Sequence, residues 1–218
     1  MPYTGSNNKV NVSTTRGVQG GYLFRAATTV TDVPTAASWT PSNAGWLCLG
    51  YIPEDGFTER VSQESSNQLR DINRDLLDEV SGSFTETLTV GLMEIKKDAL
   101  ATYYGAANVT DTAGKLTVDH NWGKSEETYQ YAMLLLLKND RKWVKHIPAG
   151  KVTDRGDFTG NKTTAAQREV TITYTTDADV SSRIIKTNVK NTTGSDIGGS
   201  ASTGVDVTPP GGGLTARK

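Results

Sequence analysis

Residues 83–105, SFTETLTVGLMEIKKDALATYYG, change the spacing of their apolar residues partway along. In the first half Phe84, Leu88, Val90 and Leu92 share one face at a period of two, with Glu86 the exception. Ser81, Ser83, Thr85, Thr87 and Thr89 fall on the other face. Alternation of this kind is the signature of a β-strand with one side buried. In the second half Ile95, Ala99, Leu100 and Tyr103 return at helical spacing, and Gly105 stands where a left-handed C-terminal cap belongs. The stretch therefore predicts a long strand running into a short helix over about 95–104. It also poses a question, because the polar strand face holds hydroxyls and hardly any charge.

The rest of the chain reads mostly as strands. GYLFRAAT (21–28) is a first candidate, and WLCLGYI (46–52) reads as a buried run. PEDG (53–56) has the proline-first, glycine-last order of a type I turn. In FTERVSQES, Phe57, Glu59, Val61 and Gln63 alternate with Thr58, Arg60 and Ser62. TYQYAMLLLLK (128–138) is apolar on both faces and so needs cover on both. After the turn at 139–140, RKWVKHIPAG alternates again. REVTITYTT (168–176) sets Val170, Ile172 and Tyr174 against Glu169, Thr171, Thr173 and Thr175, and SSRIIKTNV (181–189) is a weaker last strand. Seven or eight short-spaced strands with one helix predict a mainly β fold, a β-sandwich or barrel-like domain flanked by that helix. Residues 66–79 have two readings, the tip of a long hairpin or a short helix. The domain spans 20–187 on this reading, between an extended arm (1–19) and a Gly/Ser/Thr/Pro-rich tail (188–218). That tail is either disordered or an arm that orders on a neighbour.

Hydrophobic residues make up 35% of the 218, enough for a core confined to the middle of the chain. The net charge of −1 gives no basic footprint for nucleic acid. One cysteine, Cys48, cannot form an internal disulfide and reads as a small buried hydrophobe. The N-terminus lacks a signal-peptide pattern and the longest apolar run, Ala132–Leu137, is too short to span a bilayer, so a soluble protein made inside the cell is expected, with no membrane partner. The two histidines, His120 and His146, have neither metal-ligand spacing nor a nucleophile elbow near them. No phosphate-binding glycine loop follows a strand. The sequence thus predicts no catalytic residue, no metal and no cofactor. The single basic run, NDRKWVKH, suits a phosphate backbone or, equally, the acidic loops of a neighbour.

In order along the chain, GYLFRAATTVTDVPTAASWTPSNAGWLCLGYIPEDGFTERVSQESSNQLRDIN, SFTETLTVGLMEIKKDALATYYGAANVT and KWVKHIPAGKVTDRGDFTGNKTTAAQREVTITYTT resemble the major tail tube protein of long, flexible-tailed bacteriophages, over roughly residues 20–180. The resemblance implies six subunits per ring and rings stacked into a hollow tube. Inner sheets would join edge to edge, and the hairpin and terminal arm would reach the next ring. It implies as partners further copies of the chain, a tape-measure protein and other tail proteins, and double-stranded DNA in transit without specific binding. The place implied is the virion tail, assembled in the host cytoplasm. The immunoglobulin-like C-terminal domain of some relatives has no counterpart in 188–218.

Two residue sets become candidates. The hairpin carries Glu64, Arg70, Asp71, Arg74, Asp75, Asp78 and Glu79 together with Leu69, Ile72, Leu76 and Leu77, which suits a ring-to-ring contact. The hydroxyl faces, Ser81, Ser83, Thr85, Thr87 and Thr89 with Glu169, Thr171, Thr173 and Thr175, have two readings. One is an ordinary solvated sheet face, since threonine is a good strand former. The other, which the resemblance favours, is a lumen wall that gives passing phosphates little to grip. Two competing functions remain open on the sequence. One is another β-rich virion component, a tail terminator or capsid decoration protein. The other is a carbohydrate-binding sandwich, for which Trp39, Trp46, Trp122 and Trp143 are poorly clustered.

Overall fold

The computed structural model describes residues 14–17, 22–41, 45–80, 82–124, 127–138, 141–160, 165–175 and 186–190. Thirteen strands and one α-helix occur among them. In chain order these are β1 (Thr15–Gly17), β2 (Leu23–Ala27), β3 (Leu47–Cys48), β4 (Phe57–Gln63), β5 (Asn67–Arg70), β6 (Leu76–Val80), β7 (Phe84–Leu92) and α1 (Lys97–Tyr104). There follow β8 (Val109–Thr112), β9 (Lys115–Val118), β10 (Thr128–Leu137), β11 (Lys142–Thr159), β12 (Gln167–Tyr174) and β13 (Lys186–Lys190).

Nine strands form one antiparallel sheet in the order β3-β2-β10-β11-β12-β7-β4. β1 pairs with β10 beyond β2, and β13 pairs with β11 beyond β12. Side chains from β2, β7, β10, β11 and β12 meet in one core, with Leu23, Leu88, Val90, Tyr131, Met133, Ile147, Val170 and Ile172 all buried. Residues from strands as far apart in the sheet as β2 and β7 can share a core only if the sheet coils round on itself. The mainly β, sandwich-like architecture with one helix is therefore present. The helix contributes Ala99 and Tyr103 to the same core.

The alternation read from the sequence sets the faces. β10 is buried on both sides, as its doubly apolar pattern requires. Tyr131, Met133 and Leu135 enter the main core, while Ala132 and Leu134 join Phe24, Ala26, Trp46 and Val144 in a second. The 53–56 turn closes with the Gly56 N–H donating to the Pro53 carbonyl at 2.9 Å. β8 and β9 are joined by Ala113 and Gly114, both at positive φ, which is the backbone of a type I′ hairpin.

Residues 67–80 fold as a hairpin, β5 against β6, so the short-helix alternative is excluded. The Asp71 carboxylate organises its turn, accepting from the Asn73 N–H at 2.9 Å and the Asp75 N–H at 2.7 Å. That side chain competes with helix formation by offering the backbone a local partner.

Two local expectations are corrected. The helix starts at Lys97, and Ile95 lies before it, 65% exposed. β7 ends at Leu92, and the segment before the helix is tied to Tyr51, whose carbonyl accepts from the Met93 N–H and whose N–H donates to the Glu94 carboxylate, with Lys96 still extended at φ −133°. The run 46–52 is not buried throughout. Only Leu47–Cys48 is strand, at the sheet's edge, and Leu47 and Tyr51 face outward while Trp46 and Leu49 are buried. An edge strand keeps cover on one side only. Cys48 is half-buried against the second core.

Candidate assembly surfaces

The two hydroxyl runs, eighty residues apart in sequence, lie side by side. Register places Thr89 opposite Thr171 and Thr87 opposite Thr173, across β7 and β12. The Thr89 and Thr171 hydroxyls are 3.0 Å apart, and Thr153 of β11 meets Thr173 at 2.6 Å. β4 extends the face, with Thr58 opposite Thr89, Arg60 opposite Thr87 and Ser62 opposite Thr85. Ser83 leads into β7 and its hydroxyl donates to Glu64. Glu169 sits opposite Gly91, and Thr175 follows β12, its N–H bonded to the Ala149 carbonyl. Ser81 lies outside the described residues. The face is less neutral than the two runs alone suggest, because Arg60 flanks Thr87 and Lys151 lies opposite Thr173. Neither cation was legible as part of this face without the strand pairing. β4 is a terminal strand of the described sheet, so this hydroxyl face runs out to an edge.

The candidate hairpin residues are brought together at one end of the sheet. β5 and β6 leave β4 and β7 beyond the Gln63–Phe84 pair, and the Glu64 N–H still bonds the Ser83 carbonyl. Leu69, Leu76, Leu77 and Ile72 are 51–98% exposed, and Val61 and Phe84 at the hairpin's base are exposed as well. Arg70 is held within the hairpin, donating to the Arg74 carbonyl and to Gln68. Glu79 accepts from Ser66, and Asp78 accepts from the Glu79 N–H. Arg74 occupies the left-handed turn position with φ 69°. Monomeric proteins seldom keep so many neighbouring apolar side chains in water.

Among the described residues of the basic run NDRKWVKH, 141–146, Lys142 is half-buried and the other cations do not face outward. Arg141, Lys145 and His146 are all buried. Lys145 pairs with Glu59, which also accepts from the Tyr174 hydroxyl at 3.1 Å, and burial lowers the lysine's pKa. His146 meets the Gln130 amide oxygen at 3.0 Å. The alternation hid this, because the first half of β11 is covered on both faces and Lys145 and His146 turn inward to Glu59 and Gln130. The phosphate-backbone reading of that run is withdrawn.

Among the described residues, no group of three or more His, Cys, Asp or Glu converges where it could hold a metal ion. A half-open cleft of about 370 Å³ lies between β1 and the 53–57 turn, lined by residues such as Arg16, Tyr22, Glu54, Asp55 and Phe57. Trp39 and Trp46 pack edge to face at 5.2 Å, and both indoles bond Asp32. They are thereby committed to the fold rather than to a sugar platform.

A cluster that the sequence did not reveal gathers at the helix end of the sheet. Tyr104 packs on His120 at 5.3 Å and on Trp122 at 5.7 Å. Arg155 lies over the Trp122 ring at 5.3 Å, and Arg168 over Phe158 at 4.3 Å and Tyr104 at 6.0 Å. Its members come from α1, the segment after β9, β11 and β12, so only the tertiary fold assembles them.

The described residues thus form a coiled β-sheet with an edge strand, an exposed apolar hairpin and a hydroxyl-lined face. The family model for phage tail tube proteins matches residues 8–193, and the chain belongs to that family. It is accordingly a structural, non-enzymatic component of the virion tail. No helix among the described residues is long and apolar enough to cross a membrane. No curated protein matches the sequence. Among solved structures, a chain of the anti-feeding prophage baseplate, determined by cryo-electron microscopy with six-fold symmetrisation, is similar at 11% identity and a TM-score of 0.35, over 79% of this chain and 95% of that one.

Proposed function

We propose that this chain is the repeating subunit of a hollow tail tube of the long, flexible-tailed type, closing into rings of six that stack on one another. DNA passes along the lumen, and a tape-measure protein sets the tube's length. The observation that carries this reading is the exposed apolar hairpin, Leu69, Ile72, Leu76 and Leu77, projecting from a sheet whose terminal strand β4 pairs with β7 on one edge and with no strand on the other among the described residues. An open edge is a template for another strand, and closure into a barrel removes it. Stacked rings make head-to-tail contacts, which extend without limit.

The hydroxyl face of β4, β7, β12 and β11 is the part of the subunit best suited to line the lumen. Threonine hydroxyls bonded to one another leave few free donors for phosphate. Arg60 and Lys151 set an upper bound on that slipperiness, since each cation that meets a phosphate adds salt-dependent affinity. Negative-stain electron microscopy of the purified full chain tests the proposal. Tubes with a central channel are the expected result. Single closed rings that never stack point to a terminator instead, and a persistent monomer refutes the assembly reading.

A further inference from the structure

The subunit's two ends are chemically opposite. β7 runs from Phe84 at the hairpin end to Leu92, which pairs with Arg168, which pairs in turn with Phe158. The Arg155–Arg168 aromatic cluster therefore sits at the end of the sheet away from the hairpin. Resting on the tube reading above, we infer that this cluster is the socket for the hairpin of the next subunit. Its core is Tyr104, Trp122, Arg155, Phe158 and Arg168.

Observations on both sides fit. In the socket, Nε and Nη1 of Arg168 and Nη2 of Arg155 have no hydrogen-bond partner. Neither guanidinium forms an ion pair among the described residues. These nitrogens are enclosed in the isolated subunit, and the Arg155 Nε–H is spent on the Tyr103 carbonyl, so a carboxylate reaches them only as the exposed Trp122 and Phe158 rims shift; relieving buried, unpaired guanidinium donors rewards that shift. Trp122 and Phe158 are 46% and 53% exposed beside the arginines, an apolar rim unusual for a finished surface. On the hairpin, the Asp75 side chain has no partner among the described residues, in contrast to Asp71, which is spent on its own turn. Ile72 and Leu77 stand exposed on either side of it in the sequence. An acidic, apolar tip thus meets a basic, aromatic socket. Beyond the Gln63–Phe84 pair the hairpin can extend by up to about 25–30 Å, by the rise of an extended chain. Donor at one end and acceptor at the other make a heterologous contact that repeats.

Charge reversal with rescue tests the inference in the full-length chain. Asp75→Arg alone and Arg168→Glu alone are each expected to raise the critical concentration for tube formation at least tenfold, and the double variant to restore it substantially. Thermal melts establish that each variant folds. Because Arg168 stacks on two rings, a second measurement avoids dependence on its fold. In a Cys48→Ala background, Asp75→Cys with Phe158→Cys is expected to give a ladder of disulfide-linked oligomers on oxidation of tubes, and neither single cysteine variant should. Tubes that form normally in both charge variants, or that give no ladder, overturn the socket while leaving the tube reading intact. A wild-type protein that makes no tubes overturns both.

Discussion

Removing apolar surface from the hairpin without touching the core isolates assembly from folding. Ile72 is 98% exposed and Leu77 63% exposed, so replacing both with serine costs the folded subunit almost nothing. Exposed substitutions of this kind usually change stability by less than about 0.5 kcal/mol. If both side chains are buried between subunits, the lost transfer energy is that of Ile72 in full and of Leu77 in larger part. At about 1.5–3 kcal/mol for each fully buried side chain, the pair accounts for roughly 2.5–5 kcal/mol per contact. Since about 1.4 kcal/mol is a factor of ten, the association constant should fall by about two to four orders of magnitude. Surrounding charges cannot compensate, because exposed ion pairs contribute only about 0–1 kcal/mol each. The assay is the critical concentration for tube formation, measured by sedimentation and checked by electron microscopy, with circular dichroism to verify the fold. Tubes forming at an unchanged critical concentration in the folded double variant would refute the hairpin's role.

Other consequences follow from the core. Burial raises the Tyr131 phenol well above its ordinary value, with Arg25 and Arg155 opposing, and Tyr174 is raised by burial and then by Glu86. A folded-state value above the unfolded one means stability is full below about pH 10 and declines as pH rises further, by up to about 1.4 kcal/mol per unit for each tyrosine. Melting temperature measured between pH 9 and 11.5 should therefore fall, and less steeply in Tyr131→Phe. At neutral pH that variant should be as stable as the wild type or about 1 kcal/mol more so, because its hydroxyl has no partner. In the Lys145–Glu59 pair the lysine side chain is 11% exposed and the carboxylate 30%. Glu59→Gln, which strands the more buried charge, should cost about 1–3 kcal/mol, and Lys145→Met less, as read by urea denaturation. Gly150→Ala would place a methyl 2.8 Å from Ile172 and 3.1 Å from the Tyr131 ring, and overpacking should cost about 1–3 kcal/mol in the same assay. An alanine variant of unchanged midpoint would show that the two neighbours yield freely.

What could be read from the chain was whatever depends on near neighbours. The doubly apolar run 128–138 announced a central strand and the change of period after Leu92 announced the helix, which does end at Gly105, although φ 94° and ψ 140° there are not the left-handed cap expected. Ile95 was misassigned because helical spacing alone cannot show that Met93 and Glu94, just before it, are bonded to Tyr51. The basic run was misread because alternation gives sides and not their environment: Lys145 faces Glu59, 86 residues earlier, and His146 faces Gln130. The two threonine runs were each legible. Their union into one face, and the presence of Arg60 and Lys151 on it, depends on antiparallel register that no local pattern encodes. The aromatic–arginine cluster was wholly invisible, since Tyr104, Trp122, Phe158 and Arg168 are joined only by the packing of the helix end.

The terminal strands carry one more implication. β1 pairs Thr15 with Leu137 and β13 pairs Lys190 with Lys142, so both are stitched to one end of β10 and β11, at the same end of the sheet where the hairpin leaves β4 and β7. Extensions thus crowd one pole of the molecule and the helix occupies the other. A fibre built by repeating such a unit has a direction, like an arrow. Its two tips present different chemistry, growth and capping become separate problems, and a protein shaped to start the column cannot also finish it.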